Sequence, residues 1–232
     1  MTPPTLFILS VVLNSINLAL AILVYLRNPR HLANRLFGIL VLSITAWSAG
    51  VSLSYFTIDY YQLHLFRSRA VFAVASMMAL SFVAFTAVFP SGHLPVNMRK
   101  PLVFSGSACG ILAALSFSPW IVAGIDPSRN RMQVVYGPLH KVFGLYIYSS
   151  LGYGLFILLQ KLRRARGLIK LQLRYVFLGI FTFVLGATTT NLLIPLIFRT
   201  SYFSGYGPIF MMIMIATTAH AIIRHRLMDI KV

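Results

Sequence analysis

Acidic residues are almost missing from this chain. Three Asp and no Glu stand against 20 Lys and Arg in 232 residues. With carboxylates only at Asp59, Asp126 and Asp229, no acid pair is available for general acid/base work or for a proton relay. Cysteine is equally scarce: Cys109 stands alone, which excludes an internal disulfide. The six histidines, His31, His64, His93, His140, His220 and His225, are scattered, and only the loose pair His220 and His225 comes near metal-ligand spacing. No HExxH, Cys/His cluster or Gly-rich phosphate loop occurs, so neither a metal site nor a nucleotide site is expected, and the chain reads as a non-enzyme. Charge in total is low, at 10% of residues, against roughly 25% in soluble domains.

What replaces charge is apolar chain. Hydrophobic residues make up 58% of the sequence, and they fall in continuous runs of about 20, the length of a membrane-crossing helix. Only helices and closed barrels satisfy their own backbone in hydrocarbon, and the runs do not alternate as barrel strands do. Seven spans are predicted, at 5–26, 36–56, 69–89, 102–122, 142–160, 175–197 and 206–223. The fold class expected is all-α integral membrane: one seven-transmembrane helix bundle. The net charge of +17 would suggest nucleic acid in a soluble protein, but topology accounts for it and no nucleic-acid partner is expected. With the N-terminus outside, inner connections hold Arg27, Arg30 and Arg35, then Arg99 and Lys100, then six cations between Lys161 and Arg174, then Arg224, Arg226 and Lys231. Only Arg67, Arg69, Arg129, Arg131, Lys141 and Arg199 remain outside, so the positive-inside rule places the C-terminus in. The start "MTPPTLFIL" lacks a basic n-region, and the first span is expected to stay as an anchor.

The connections are short. "YLRNPRHLANR" reads as a tight inner turn at Pro29, and "FPSGHLPVNMRKP" as a rigid, non-helical inner loop. On the outer side, Met132 to Tyr136 reads as a short strand, stopped by Gly137 and Pro138, in a small hairpin or lid. The basic inner stretch "KLRRARGLIKLQLR" is expected to extend helix five or to lie along anionic headgroups.

Polar residues inside spans are costly in lipid and so carry the functional expectation. Asn14 and Asn17 share one face of helix one, either as interhelical hydrogen-bond glue or as ligand contacts. In "TTTNLLIP", Thr188, Asn191 and Pro195 fall on nearly one stripe, which makes a healed kink, a polar site, or both. His220 near the end of helix seven reads as a packing histidine or a titrating one. Trp47, Trp120, Tyr146, Tyr148 and Tyr153 suit interfacial belts, and some of them could line an outer pocket with Tyr136. Gly106 with Gly110, and Ser150 with Gly154, are small-xxx-small pairs for close helix contact. Helix seven has no mid-span Lys, so a retinal Schiff base has no attachment point; no cofactor is expected.

The ordered set "NPRHLANRLFGILVLSITAWSAG", "FPSGHL", "LRRARGLIKLQLRYVFLG", "TNLLIPLI" and "YGPIFMMIMIATTAHAIIRHRLMDI" resembles the seven-transmembrane sensor region at the N-terminus of bacterial histidine kinases. The resemblance spans nearly the whole chain. It implies a bacterial cytoplasmic-membrane receptor module, with residues 1–223 sensing and 224–232 leading toward an output domain not present in this chain. No histidine here is followed by Glu as in the phosphoacceptor motif, and no ATP-binding boxes occur, so this polypeptide is not itself a kinase. The sensing candidates are Asn14, Asn17, Tyr136, Thr188, Asn191 and His220; the output candidates are Arg224, Arg226, Leu227 and Asp229. Expected partners are membrane lipids, a cytoplasmic signalling domain fused or in trans, and a second copy, since receptors of the resembled type are expected to dimerise. The competing reading is an accessory subunit that scaffolds a complex or holds a lipid or pigment; a transporter would need intramembrane charge that is lacking.

Overall fold

The computed structural model of the chain describes residues 3–57, 59–126, 133–190, 194, 210–214 and 216–217. Helix α1 (Pro3–Arg27) turns back at 28–31 into α2 (Leu32–Ser52), and the short α3 (Ser54–Thr57) leads to α4 (Tyr61–Val88). Then come α5 (Arg99–Ser116), a hairpin of β1 (Val122–Asp126) and β2 (Gln133–Tyr136), α6 (His140–Arg164) and α7 (Gly167–Thr188). Among the described residues, five helices are long and apolar enough to cross a membrane: α1, α2, α4, α6 and α7. Helix α5 falls outside that group because its 18 residues open on Arg99, Lys100 and Pro101, which lower its apolar content.

Helix α4 is the central post, packed by α2, α5 and α6. Several of its inward positions are small, with Ala73, Ser76, Ala79, Ser81 and Ala87 all buried, which lets backbones come close where lipid removes the hydrophobic drive. The core runs between α1, α2, α4, α6 and α7 through Val24, Phe37, Ile44, Phe85, Leu158 and Leu173. Outward faces stay apolar, with Phe104 79% and Leu145 70% exposed, as a lipid-facing surface requires.

Three boundaries depart from expectation. Helix α4 begins at Tyr61, well before 69, because Arg67 and Arg69 find carbonyl acceptors at Gly50 and Val122 and so can lie inside the bundle. The span expected over 102–122 ends as a helix at Ser116. There Phe117 and Ser118 close a turn onto Ala114 and Leu115, and Pro119 has no N–H to continue the ladder. Residues from Val122 onward are β1, antiparallel to β2 with Ile125 opposite Val134. The expected outer strand is thus β2, and its partner was hidden in an apolar run too short to separate strand from helix. The basic inner stretch does extend α6 to Arg164, but its second half opens α7 instead of lying apart on headgroups.

Of the two small-residue pairs, one is used inside the described bundle. Phe82 of α4 sits where a Cβ on Gly154 would be, and Ser150 is buried beside it; Gly106 and Gly110 meet nothing within 4 Å. A third seam was not foreseen. Gly179 and Gly186 of α7 receive Thr217 and Phe210, each so close that a Cβ would overlap it.

After the C-terminal end of α4, the motif "FPSGHL" is held from two sides. Gly92 has φ +76°, and the His31 ring that precedes α2 occupies the space of its missing side chain. The Lys161 ammonium of α6 donates to the carbonyls of Thr86 and Ala87, both at 2.8 Å, and to that of Phe89. Those groups lack partners at a helix C-terminus, and a cation there also suits the helix dipole.

Candidate functional site

Helix α1 is apolar almost throughout, so Ser10, Asn14 and Asn17 on one face stand out, at i, i+4 and i+7. They turn inward toward α2. The Ser10 and Ser52 hydroxyls meet at 2.5 Å, and the Asn14 amide donates to Ser10 Oγ at 3.4 Å. With α1 and α2 antiparallel and Ser10 opposite Ser52, equal rise per residue brings Asn14 to the level of Ser48 and Asn17 to that of Thr45. The result is a ladder of polar rungs along the half of the α1–α2 seam nearer the start of α1.

The ladder is incompletely satisfied. Asn14 Oδ1, Asn17 Oδ1, Thr45 Oγ1 and Ser48 Oγ are buried and have no hydrogen-bond partner among the described residues. Buried polar atoms are nearly always paired, and leaving one unpaired costs about 1–3 kcal/mol. Two amide carbonyls and two hydroxyls on one seam can accept hydrogen bonds from an uncharged polar ligand or from water. At its last rung, the ladder reaches another element: Asn17 Nδ2 donates to Met211 Sδ at 2.7 Å. Met211 lies in the helical residues 210–214, which rest on Gly179 and Gly186 of α7.

The other expected sensing residues lie elsewhere. Tyr136, at the end of β2, stacks on His140 with ring centroids 4.0 Å apart and meets the edge of Phe72 at 6.3 Å. Thus Tyr136, largely exposed, touches Phe72 at the edge of the cluster of Phe143, Ile121 and Val122 and is not part of the asparagine ladder. Two tyrosines of α6 have other partners. Tyr146 bonds Ser105 and the Ser76 carbonyl, and Tyr153 reaches Met98 Sδ at 3.6 Å, so both tie α6 to its neighbours. Thr188 is half-buried at the end of α7, just before a π-helical turn at Thr189 and Thr190. Asn191, His220, Arg224, Arg226, Leu227 and Asp229 lie outside the described residues.

Sequence reasoning missed a second polar cluster, at the N-terminal end of α4. Thr57 Oγ1 and His64 Nδ1 are 3.0 Å apart, and His64 Nε2 lies 3.2 Å from Arg67 Nη2. Arg67 also donates to Ser68 Oγ at 2.9 Å and to the Gly50 carbonyl at 2.9 Å. Thr57, His64 and Ser68 are all buried, so His64 joins His220 as a histidine within a candidate span. Its signal was present in "HLFRSR", where His64, Arg67 and Ser68 share one helical face; a helix start at 69 conceals it. No group of three or more His, Cys, Asp or Glu among the described residues could hold a metal ion.

A family model described as the N-terminal 7TM region of histidine kinase matches residues 7–231. No curated protein and no solved structure matches the chain.

Proposed function

The chain belongs to the family of N-terminal seven-transmembrane regions of histidine kinases, and on that footing we propose that it reads a signal within the membrane and passes it to a cytoplasmic kinase domain, fused or in trans. It is a multi-pass membrane protein. In our reading it crosses the bacterial cytoplasmic membrane seven times, N-terminus out, with residues 1–223 sensing and 224–232 leading to the output domain. No catalytic step is assigned to its own residues.

The observation that carries this reading is the hydrogen bond from Asn17 to Met211. It joins the unsatisfied polar seam of α1 to the segment that precedes the exit through Arg224, Arg226, Leu227 and Asp229. A ligand that satisfies Asn14 and Asn17 changes what that bond is worth, and so favours one bundle arrangement over another. A coupling of roughly 1–3 kcal/mol suffices to shift output 5- to 150-fold.

The test is a fusion of the chain to a histidine-kinase output domain with a transcriptional reporter. Asn17→Leu removes the donor, and Met211→Leu removes the sulfur acceptor at nearly the same volume. Both should shift reporter output in the same direction while membrane insertion is kept. Unchanged output in both would remove the ladder from signalling. Asn191→Ala should likewise change output without loss of insertion.

A further inference from the structure

On the lipid-facing side of α1 and α2 there is a groove of about 350 Å³. One wall is the stripe Leu18, Ile22 and Tyr25 of α1, at i, i+4 and i+7; the other is Arg35, Ile39 and Leu42 of α2, with the same spacing. Its floor is made by the small residues Ala21 and Gly38. A Cβ built on Gly38 would meet nothing within 4 Å, although the residue itself is buried. Two small residues between two rows of long ones therefore leave a trough. Along α1 it runs from Leu18 to Tyr25, about 10 Å at 1.5 Å per residue.

The groove is apolar except at one end, where Arg35 stands. The Arg35 side chain is exposed and makes no hydrogen bond or ion pair among the described residues. Nor can its own region neutralise it, since residues 1–58 contain no acid at all. Arg30 lies in the turn just beyond, adding a second cation at that end. An apolar trough ending in an unneutralised guanidinium complements a molecule with an acyl chain and an anionic head, and guanidinium binds phosphate in a bidentate fork.

We propose that this groove is a binding site for one anionic phospholipid, its acyl chain lying between the two stripes and its headgroup phosphate on Arg35. A second copy of the chain fits less well. Copies inserted in the same sense would bring Asp59 and Asp126 to the opposite end of the bundle from Arg35, and of the three acids only Asp229 of the exit segment would share its end, against Arg224, Arg226 and Lys231 beside it. A zwitterionic lipid carries a phosphate too, but its ammonium would lie against Arg30 and Arg35.

Native mass spectrometry of the full chain, released from nanodiscs containing equal dioleoyl phosphatidylglycerol and dioleoyl phosphatidylcholine, tests this directly. The wild type should retain one phosphatidylglycerol adduct several-fold over phosphatidylcholine. Gly38→Leu fills the trough and should remove the adduct; Ile22→Trp, which narrows it from the α1 wall, should do the same should the first variant insert poorly. Arg35→Gln should keep an adduct but bring the two lipids to near equality. Absence of lipid preference in the wild type, or an adduct undiminished by both filling variants, overturns the proposal. So does a dimer mass that Gly38→Leu abolishes, which would give the groove to a second copy.

Discussion

A single ammonium closes the C-terminal end of α4. Lys161 meets three carbonyls there, and hydrogen bonds to a charged group contribute about 1.5–3 kcal/mol. Lys161→Met keeps most of the apolar stem and removes the donor, so unfolding in detergent should fall by several degrees, about 4–8 °C for a loss near 2 kcal/mol. A melting temperature equal to wild type would mean that water caps those carbonyls equally well. The same scale explains what single residues revealed in advance. Asn14 and Asn17 were legible because an amide in an apolar helix has few alternatives to facing inward. Lys161 was not, because a basic residue at a span end also suits the headgroups, and only the fold brings the α4 terminus under it.

At the scale of elements, small residues at spacing four are not the only contact signal. Gly179 and Gly186 are seven apart, two turns of α7, and receive Thr217 and Phe210, also seven apart. Gly186→Leu would overlap the Phe210 ring and should reduce folded yield sharply. Gly106→Leu, on an open face, should leave it near wild type; fluorescence size-exclusion profiles of the two would compare them. The hairpin makes a related point. Its second strand is bounded by Gly137 and Pro138 and could be read; its first is apolar and continuous with α5, and only pairing distinguishes it. The cluster of His64, Arg67 and Ser68 was obscured likewise, since charge in a connection and charge in a buried helical turn look alike until Gly50 supplies the acceptor.

For the whole molecule, the helical membrane character followed from composition alone, whereas the way helices meet depended on contacts between distant segments. The proposed orientation makes a direct prediction. In a Cys109→Ser background, a cysteine placed at Val96, which is 76% exposed between α4 and α5, should react with a membrane-impermeant maleimide only in inside-out vesicles. One at Lys141, at the start of α6, should react only in right-side-out cells. The reverse pattern would invert the topology.

Thr217 and Phe210 behave as two teeth seated in two notches of α7. To slide the segment lengthwise, both teeth must lift at once, and a shift of one turn finds no second pair of notches waiting. A small tilt about one tooth loosens only the other. Built this way, the joint favours the swing of a pivot over the stroke of a piston, and in the signalling role proposed above a message leaving along it would be carried as an angle.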